Sequence, residues 1–141
     1  MWFTPCTLSD LHVFTKGNML EHLGIELTEL GPDFIKAKMP VDHRTRQPAG
    51  ILHGGASVAL AESLGSIAST LCVDFAKYYC VGLDINANHI RSVSDGYVTG
   101  TARPLHTGRT AHVWEIKIEN EAGKLVCISR ITMAVIERKG L

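Results

Sequence analysis

The sequence has no surplus of charge of either sign. Its 141 residues include 14 Lys and Arg and 14 Asp and Glu, so the formal net charge at pH 7 is zero. A general nucleic-acid-binding protein needs a basic surplus to neutralise phosphates, so the composition argues against that class of partner. A local basic site for a phosphorylated ligand remains compatible with it.

Cysteines are few, and their spacing matches no metal or redox motif. Cys6, Cys72, Cys80 and Cys127 form no C-x-x-C pair and no Cys/His cluster with zinc spacing. Cys72 and Cys127 lie in apolar runs, where a thiol acts as a small hydrophobic side chain. We therefore expect reduced thiols, no bound metal and a cytoplasmic location.

Signals for membranes and for several enzyme classes are also missing. The first ten residues, MWFTPCTLSD, lack the basic and apolar regions of a signal peptide. The one long stretch that is poor in charge, residues 47–73, contains a proline, a histidine, four serines and Glu62, so we expect no membrane span. The chain has no G-x-G-x-x-G, no P-loop and no G-x-S-x-G, which disfavours nucleotide-cofactor chemistry and serine-based acyl transfer.

The pattern of apolar residues predicts a single α+β domain over residues 1–141. A capping box between Thr7 and Asp10 predicts a short helix to about Leu20. Strands are predicted in GIELTEL, DFIKAKMPV, YYCVGLDINANHIRS, GYVTGTARPLH, TAHVWEIKIEN and KLVCISRITMAVIE. The last of these is apolar at nearly every position, which predicts that both of its faces are covered.

One long helix is predicted in residues 56–73, ASVALAESLGSIASTLCV. This segment has helical spacing, no proline, and small or apolar residues on all sides, so we expect it to be buried. Because strands outnumber helices and short turns connect them, we expect an antiparallel sheet curled around this central helix.

Glu62 is the only formally charged residue in the stretch from Gln47 to Val73. Burial would raise the pKa of its carboxyl group towards neutral pH, which suits a general base or a nucleophile. Two structural alternatives stay open here: a partner in a buried arginine or backbone group, and a helix rotated so that Glu62 reaches solvent. Ser66 lies one turn further on the same face and either bonds the carboxylate or a ligand, or simply packs.

The sequence HGG, residues 53–55, precedes the helix. Helix N-termini expose unpaired N–H groups, and glycines let a ligand oxygen approach the backbone. With Glu62 two turns further on, this arrangement predicts an oxyanion site facing a base, and a plain loop-to-helix turn is the alternative. His53 is a second candidate donor, and Gln47 is a candidate for holding a water.

Basic residues recur at two later places in the chain. His89 and Arg91 alternate in a predicted strand, which would place them on one face. Arg103, His106 and Arg109 surround a predicted turn. Both groups are candidates for binding phosphate, with a solvated strand end and turn as the alternative.

Two segments, MPVDHRTRQPAGILHGGASVALAES and VGLDINANHIRS, resemble the hotdog-fold thioesterases. They are most similar to the PaaI-like branch, which contains bacterial 1,4-dihydroxy-2-naphthoyl-CoA thioesterases and aryl-carrier-protein proofreading thioesterases. The similarity extends over almost the whole chain. It implies a sheet wrapped around a central helix, homodimers whose sheets join, tetramers built from two dimers, and active sites at the dimer interface.

The resemblance also implies roles for individual residues. Glu62 would attack the thioester carbonyl or activate water, and Gly54 would donate its N–H to the thioester oxygen with His53 nearby. Gln47 would position the water or the carbonyl, and Ser66 would contact Glu62 or the acyl group. The positions that match CoA-binding segments are Gly82, the strand end His89, Ile90, Arg91 and Ser92, and the turn His106, Thr107, Gly108, Arg109, Thr110 and Ala111.

The implied activity is hydrolysis of an acyl-CoA or acyl-carrier-protein thioester without a cofactor. A glutamate at position 62 favours dihydroxynaphthoyl and hydroxybenzoyl esters, whereas Ala49, where relatives often have Phe, implies a roomier acyl pocket. Two other functions stay open. One is a 3-hydroxyacyl thioester dehydratase with His53 and Glu62 as its acid–base pair, and the other is a non-catalytic acyl-CoA sensor.

Overall fold

A computed structural model describes residues 1–139, which form one antiparallel sheet around one long helix. The sheet has six strands in the order β1-β2-β4-β5-β6-β3, as the α+β prediction expects. The strands are β1 (Glu26–Leu30), β2 (Ile35–Pro40), β3 (Tyr78–His89), β4 (Tyr97–Thr107), β5 (Ala111–Asn120) and β6 (Leu125–Glu137). The helices are a 3-10 helix (Leu8–Thr15), α1 (Met19–His22) and the long α2 (Gly54–Leu71).

The hydrophobic core lies between α2 and the inner face of the sheet. Leu60 and Leu64 of α2 are fully buried, and so are Trp114, Ile116 and Ile131 on the strands. The predicted central position of the helix is confirmed. None of the helices described in residues 1–139 is both long and apolar enough to cross a bilayer.

The two-residue periods read from the sequence are confirmed in the strands. Ile35, Ala37 and Met39 of β2 are fully buried, whereas Lys36 and Lys38 between them are partly exposed. In β5 the alternation of apolar and charged residues in HVWEIKIE predicts one inner face, and its residues are all buried: His112, Trp114, Ile116 and Ile118.

The single N-terminal helix predicted to reach Leu20 is wrong in detail. The capping box is present, and the Thr7 N–H donates to the Asp10 carboxylate at 2.7 Å. However, the segment it opens is a 3-10 helix that ends before Gly17, whose φ of 67° is unfavourable for helix continuation. A separate four-residue α1 follows.

Two expectations of full burial are also wrong. One stripe of α2, which includes Val58, Glu62 and Ser66, is only half-buried. Similarly, the outer face of β6 is partly open, with Arg130 exposed. A helix of small residues can therefore look buried in sequence while one side stays accessible.

Candidate active site

His53 caps the N-terminus of α2. The Gly55 N–H donates to its Nδ1 at 2.7 Å, so in the neutral ring the proton resides on Nε2, which is left to serve as a donor. Gly54 is the first helical residue, and no acceptor within residues 1–139 takes its N–H. This free N–H at the positive end of the helix dipole is suited to an oxyanion.

A histidine from β3 packs directly on Gly54. A Cβ added at position 54 would lie 2.8 Å from Nε2 of His89, so only glycine permits this approach. The contact closes one side of a cavity of about 270 Å³ in front of the helix N-terminus. The residues that line it are Gln47, Ile51, Leu52, Gly54, Ser57, His89, Ile90, Arg91, Ser92 and Val126.

The loop before α2 brings Gln47 to this cavity. Its Oε1 accepts the Ala49 N–H at 2.5 Å, which leaves the amide nitrogen of Gln47 as a donor. Gly50, with φ 82°, completes the tight turn. Ala49 itself is exposed and is not among the residues that line the cavity.

The segment after β3 is only partly as predicted. The strand ends at His89, so the prediction that His89 and Arg91 share one strand face is wrong. The N–H groups of Ile90 and Arg91 both donate to the Val126 carbonyl, which turns the chain away from the regular alternation. Arg91 and Ser92 are nevertheless exposed at the rim of the same cavity.

Glu62 is half-buried at the seam between α2 and the edge strand β3. Its carboxylate lies against Gly82, and within the described chain it has neither a hydrogen-bond nor a salt-bridge partner. Loss of water around it raises the pKa of the Glu62 carboxyl above its usual range. Of the two structural alternatives for Glu62, pairing with a buried arginine or a backbone group is not found within residues 1–139. Partial exposure of the Glu62 side chain to solvent is observed.

Ser66 follows Glu62 along the half-buried stripe of α2. Its hydroxyl is directed at the Met133 sulfur, with an Oγ–Sδ distance of 3.9 Å, rather than at the carboxylate. The hydroxyl therefore lies one helical turn beyond Glu62, faces β6 and does not orient the carboxylate.

The predicted oxyanion site facing a base does not form within one chain. Glu62 is eight positions after Gly54, which corresponds to about 12 Å along the helix axis. A thioester carbonyl that accepts the Gly54 N–H would lie far outside the reach of the carboxylate, since reacting groups must approach to about 3 Å.

These features agree with comparisons to known proteins. A family model described as the thioesterase superfamily matches residues 49–127, which include the helix, its N-terminal loop and the edge strand. The chain belongs to the thioesterase superfamily. It is a hotdog-fold protein and a thioester hydrolase.

Relatives of this thioesterase cover almost its full length. It is 48% identical over 136 residues to the 1,4-dihydroxy-2-naphthoyl-CoA hydrolase of Escherichia coli, covering 96% of this chain and 99% of that protein. It is 49% identical over 136 residues to the proofreading thioesterase EntH of Cronobacter turicensis, covering 96% and 98%. A crystal structure of a mutant thioesterase from Pseudomonas aeruginosa superposes with a TM-score of 0.94 at 50% identity, covering 97% and 99%.

The turn at residues 106–111 lies at the opposite end of α2 in this thioesterase. The Gly108 N–H donates to the Ala111 carbonyl at 2.9 Å, and the His106 ring packs over Gly108. Thr107, Gly108 and Arg109 line a cavity of about 450 Å³ there, together with Met1, Phe3, Cys72, Val73, Asp74, Lys77, Tyr78, His112 and Val135. Thr110 is exposed beside it, and Arg103 instead pairs with Asp33 at 3.1 Å.

His112, a buried residue of β5, also lines this second cavity, which the alternation of its strand does not predict. Its side chain is 3% exposed, and Nδ1 has no hydrogen-bond partner within residues 1–139. Burial lowers the pKa of the imidazole, which keeps the ring neutral. The alternating pattern of β5 explains why a histidine there looked purely structural.

Proposed function

We propose that this thioesterase hydrolyses an aroyl-CoA ester in the cytoplasm, with 1,4-dihydroxy-2-naphthoyl-CoA as the preferred substrate. The observation that carries the proposal is the Glu62 carboxylate, which lies at an open seam without a partner and has a raised pKa. A relative that is 48% identical is a hydrolase of that ester. The EntH relative supports an aryl-carrier-protein thioester as the alternative substrate.

The residues supply the parts that thioester hydrolysis needs, without a cofactor. Glu62 either attacks the carbonyl carbon, forming an anhydride that water then cleaves, or takes a proton from the attacking water. In both routes the C–S bond breaks, the thiolate gains a proton, and a carboxylic acid is released. The Gly54 N–H stabilises the oxygen that becomes negative during attack, and Gln47 orients the water or the carbonyl.

The two catalytic groups, the Glu62 carboxylate and the Gly54 N–H, come within reach of one thioester only if two chains share each site.

The two edges of the sheet differ in a way that favours one of them for pairing with a second chain. The short edge strand β1 is protected by ion pairs from Glu26 and Glu29 to lysines of β2. The twelve-residue edge strand β3 instead exposes Tyr79, Val81 and Leu83, which are 36%, 39% and 65% accessible. A long apolar edge of this kind is suited to pairing with a second copy.

Antiparallel pairing of β3 with its counterpart would complete the site. Within one chain, Gly82 lies against Glu62 and His89 lies against Gly54. A two-fold register that places Gly82 opposite His89 of the second chain therefore brings Gly54 of that chain to Glu62 of this one. Each homodimer then holds two sites, and two such dimers form the tetramer that the resemblance implies.

Mixing two inactive variants tests the shared site. Glu62→Gln removes the carboxylate, and Gly54→Leu blocks the helix N-terminus because its side chain collides with His89. Refolded together in equal amounts, they should recover about a quarter of wild-type activity, since half of the dimers are mixed and each has one intact site. The free-thiol release of the mixture is compared with that of each variant alone, and no gain over them would show that one chain holds the whole site.

A matched control uses a chain carrying both substitutions, refolded with an equal amount of wild type. Mixed dimers of this kind have no intact site if two chains share it, so about a quarter of the activity remains. If each chain holds its own site, about half remains. Sedimentation of the wild type gives the assembly, with a dimer or tetramer of the 15.4 kDa chain expected.

The substrate class is tested by thiol release from a panel of CoA esters. The panel contains benzoyl, hydroxybenzoyl, 1,4-dihydroxy-2-naphthoyl and short to long fatty acyl esters. We expect the highest kcat/KM for the dihydroxynaphthoyl ester. A flat profile over the fatty acyl esters would replace this proposal with a broad acyl-CoA hydrolase, and activity on aryl-carrier-protein esters alone would favour the proofreading role.

A further inference from the structure

The place that Glu62 occupies depends on a missing side chain in the neighbouring strand. A Cβ added to Gly82 would overlap Oε1 of Glu62 and come within 3.4 Å of its carboxyl carbon. The group that must move is the carboxylate itself, because the three atoms nearest to the added Cβ all belong to the Glu62 carboxyl group. Any residue other than glycine at position 82 therefore forces the Glu62 carboxylate to shift from the position it occupies here.

A β-bulge brings Gly82 to the helix side of the sheet. Gly82 pairs with Met133 and Asp84 pairs with the adjacent Thr132, so Leu83 is an extra residue in β3. Gly82 and His89 are seven positions apart and would lie on opposite faces of a regular strand. With one extra residue between them, both meet α2, at Glu62 and Gly54 respectively.

The carboxylate is held in this place by shape. Ser66 is directed at Met133, and no described residue donates a hydrogen bond or a positive charge to Glu62. Without such bonds, the orientation of a three-carbon side chain depends on the surfaces it packs against. The bare backbone at Gly82 is the surface in contact with Oε1.

We propose that Gly82 is a positioning residue, which leaves room for the Glu62 carboxylate against the edge strand and so directs it at the thioester. This inference rests on the proposed hydrolysis by Glu62. It gives Gly82 a role that differs from the CoA contact implied by the resemblance. The role requires both the absence of a Cβ at position 82 and the bulge that follows it.

The test is a double-mutant cycle with Gly82→Ala and Glu62→Asp. Gly82→Ala should lower kcat by about 10- to 100-fold with little change in KM, because a displacement of about 1 Å is enough for such a loss. Aspartate is one methylene shorter and leaves room for the new methyl group. Adding Gly82→Ala to Glu62→Asp should therefore cost less than about 3-fold, well below the product of the two single effects.

Gly100→Ala is the matched control. Gly100 is also a strand glycine facing α2, but its added methyl group meets Leu64, at 2.8 Å from Cδ1, instead of the carboxylate. The effects of Gly100→Ala and Glu62→Asp on kcat should multiply. Circular dichroism and thermal melting of all variants confirm that each is folded. The proposal is overturned if Gly82→Ala keeps wild-type kcat, or if its effect multiplies with that of Glu62→Asp.

A second readout does not depend on activity. Carbon NMR measures the pKa of the Glu62 carboxyl group, with the signal assigned by comparison with Glu62→Gln. This pKa should change in Gly82→Ala and stay unchanged in Gly100→Ala. No shift in Gly82→Ala would contradict the positioning role. Failure of the proposed hydrolysis would instead be seen as wild-type inactivity on every thioester tested, so the two failures are distinguishable.

Discussion

Glu62→Gln is expected to lower kcat for thioester hydrolysis by about 10²- to 10⁴-fold while leaving the fold intact. Glutamine keeps the size and polarity of the side chain but cannot act as a base or a nucleophile. Glu62 has no partner within residues 1–139 whose loss would destabilise the chain. The measurement is free-thiol release under saturating substrate, with thermal melting as the check of folding.

Ser63→Ala serves as the control for this substitution. Ser63 is the next residue of α2, and its hydroxyl donates to the Ala59 carbonyl at 2.6 Å, away from the carboxylate. Its removal should leave kcat near that of the wild type. Near wild-type hydrolysis by Glu62→Gln would remove Glu62 from the mechanism.

The pH dependence of the wild type should identify the same group. The ionised carboxylate is the active form, and burial raises the pKa of Glu62 above the ordinary value of 4.5. Activity is therefore present at neutral pH and is lost as the pH falls through a pKa higher than 4.5. A kcat profile that stays flat down to that value would contradict the assignment.

Trp114→Ala is expected to cost about 3–5 kcal/mol of the free energy of unfolding, the largest stability effect that we predict. The ring is fully buried and stacks on Trp2 with centroids 6.3 Å apart. Its indole N–H donates to the Ser69 hydroxyl at 2.7 Å, which links β5 to α2. Substitution leaves a large cavity and an unsatisfied hydroxyl.

Urea denaturation followed by circular dichroism measures this cost, at one protein concentration for all variants because assembly contributes to stability. Trp114→Phe is the comparison, since it keeps most of the ring volume and loses the hydrogen bond. Its expected cost is smaller than that of alanine. Equal costs for the two substitutions would show that the hydrogen bond, rather than the packing, dominates.

Local patterns were sufficient for most of the fold. Alternation in β2 and β5 identified their buried residues, such as Ile35 and Ile116, because a strand presents every second side chain to the core. The long helix was recognised from its spacing and lack of proline. The prediction of one N-terminal helix to Leu20 is wrong because Gly17, with its positive φ, separates the 3-10 helix from α1.

The sequence predicted only part of the candidate site. Composition singled out Glu62, and the glycines before α2 singled out its N-terminus. The sequence did not predict how far apart these two groups lie along the helix. It also did not predict the contact of His89 with Gly54 or the position of His112 in a second cavity. These features depend on which strands α2 packs against. The residues adjacent in sequence contain little information about such long-range contacts.

The sequence by itself determined the class of fold, the identity of the lone carboxylate and the family to which the chain belongs. Periodicity, helix starts and an isolated charge are local properties of a chain, and they were sufficient for the fold class and the carboxylate, whereas the family followed from the resemblance of residues 39–63 and 81–92 to known thioesterases. Only the tertiary structure decided that the Glu62 carboxylate lies against Gly82 without a hydrogen-bond or salt-bridge partner among the described residues. It also decided that β3 is an edge strand of the sheet. A strand's place in the sheet and a bulge at Leu83 arise from long-range pairing with β6, which no short stretch of sequence specifies.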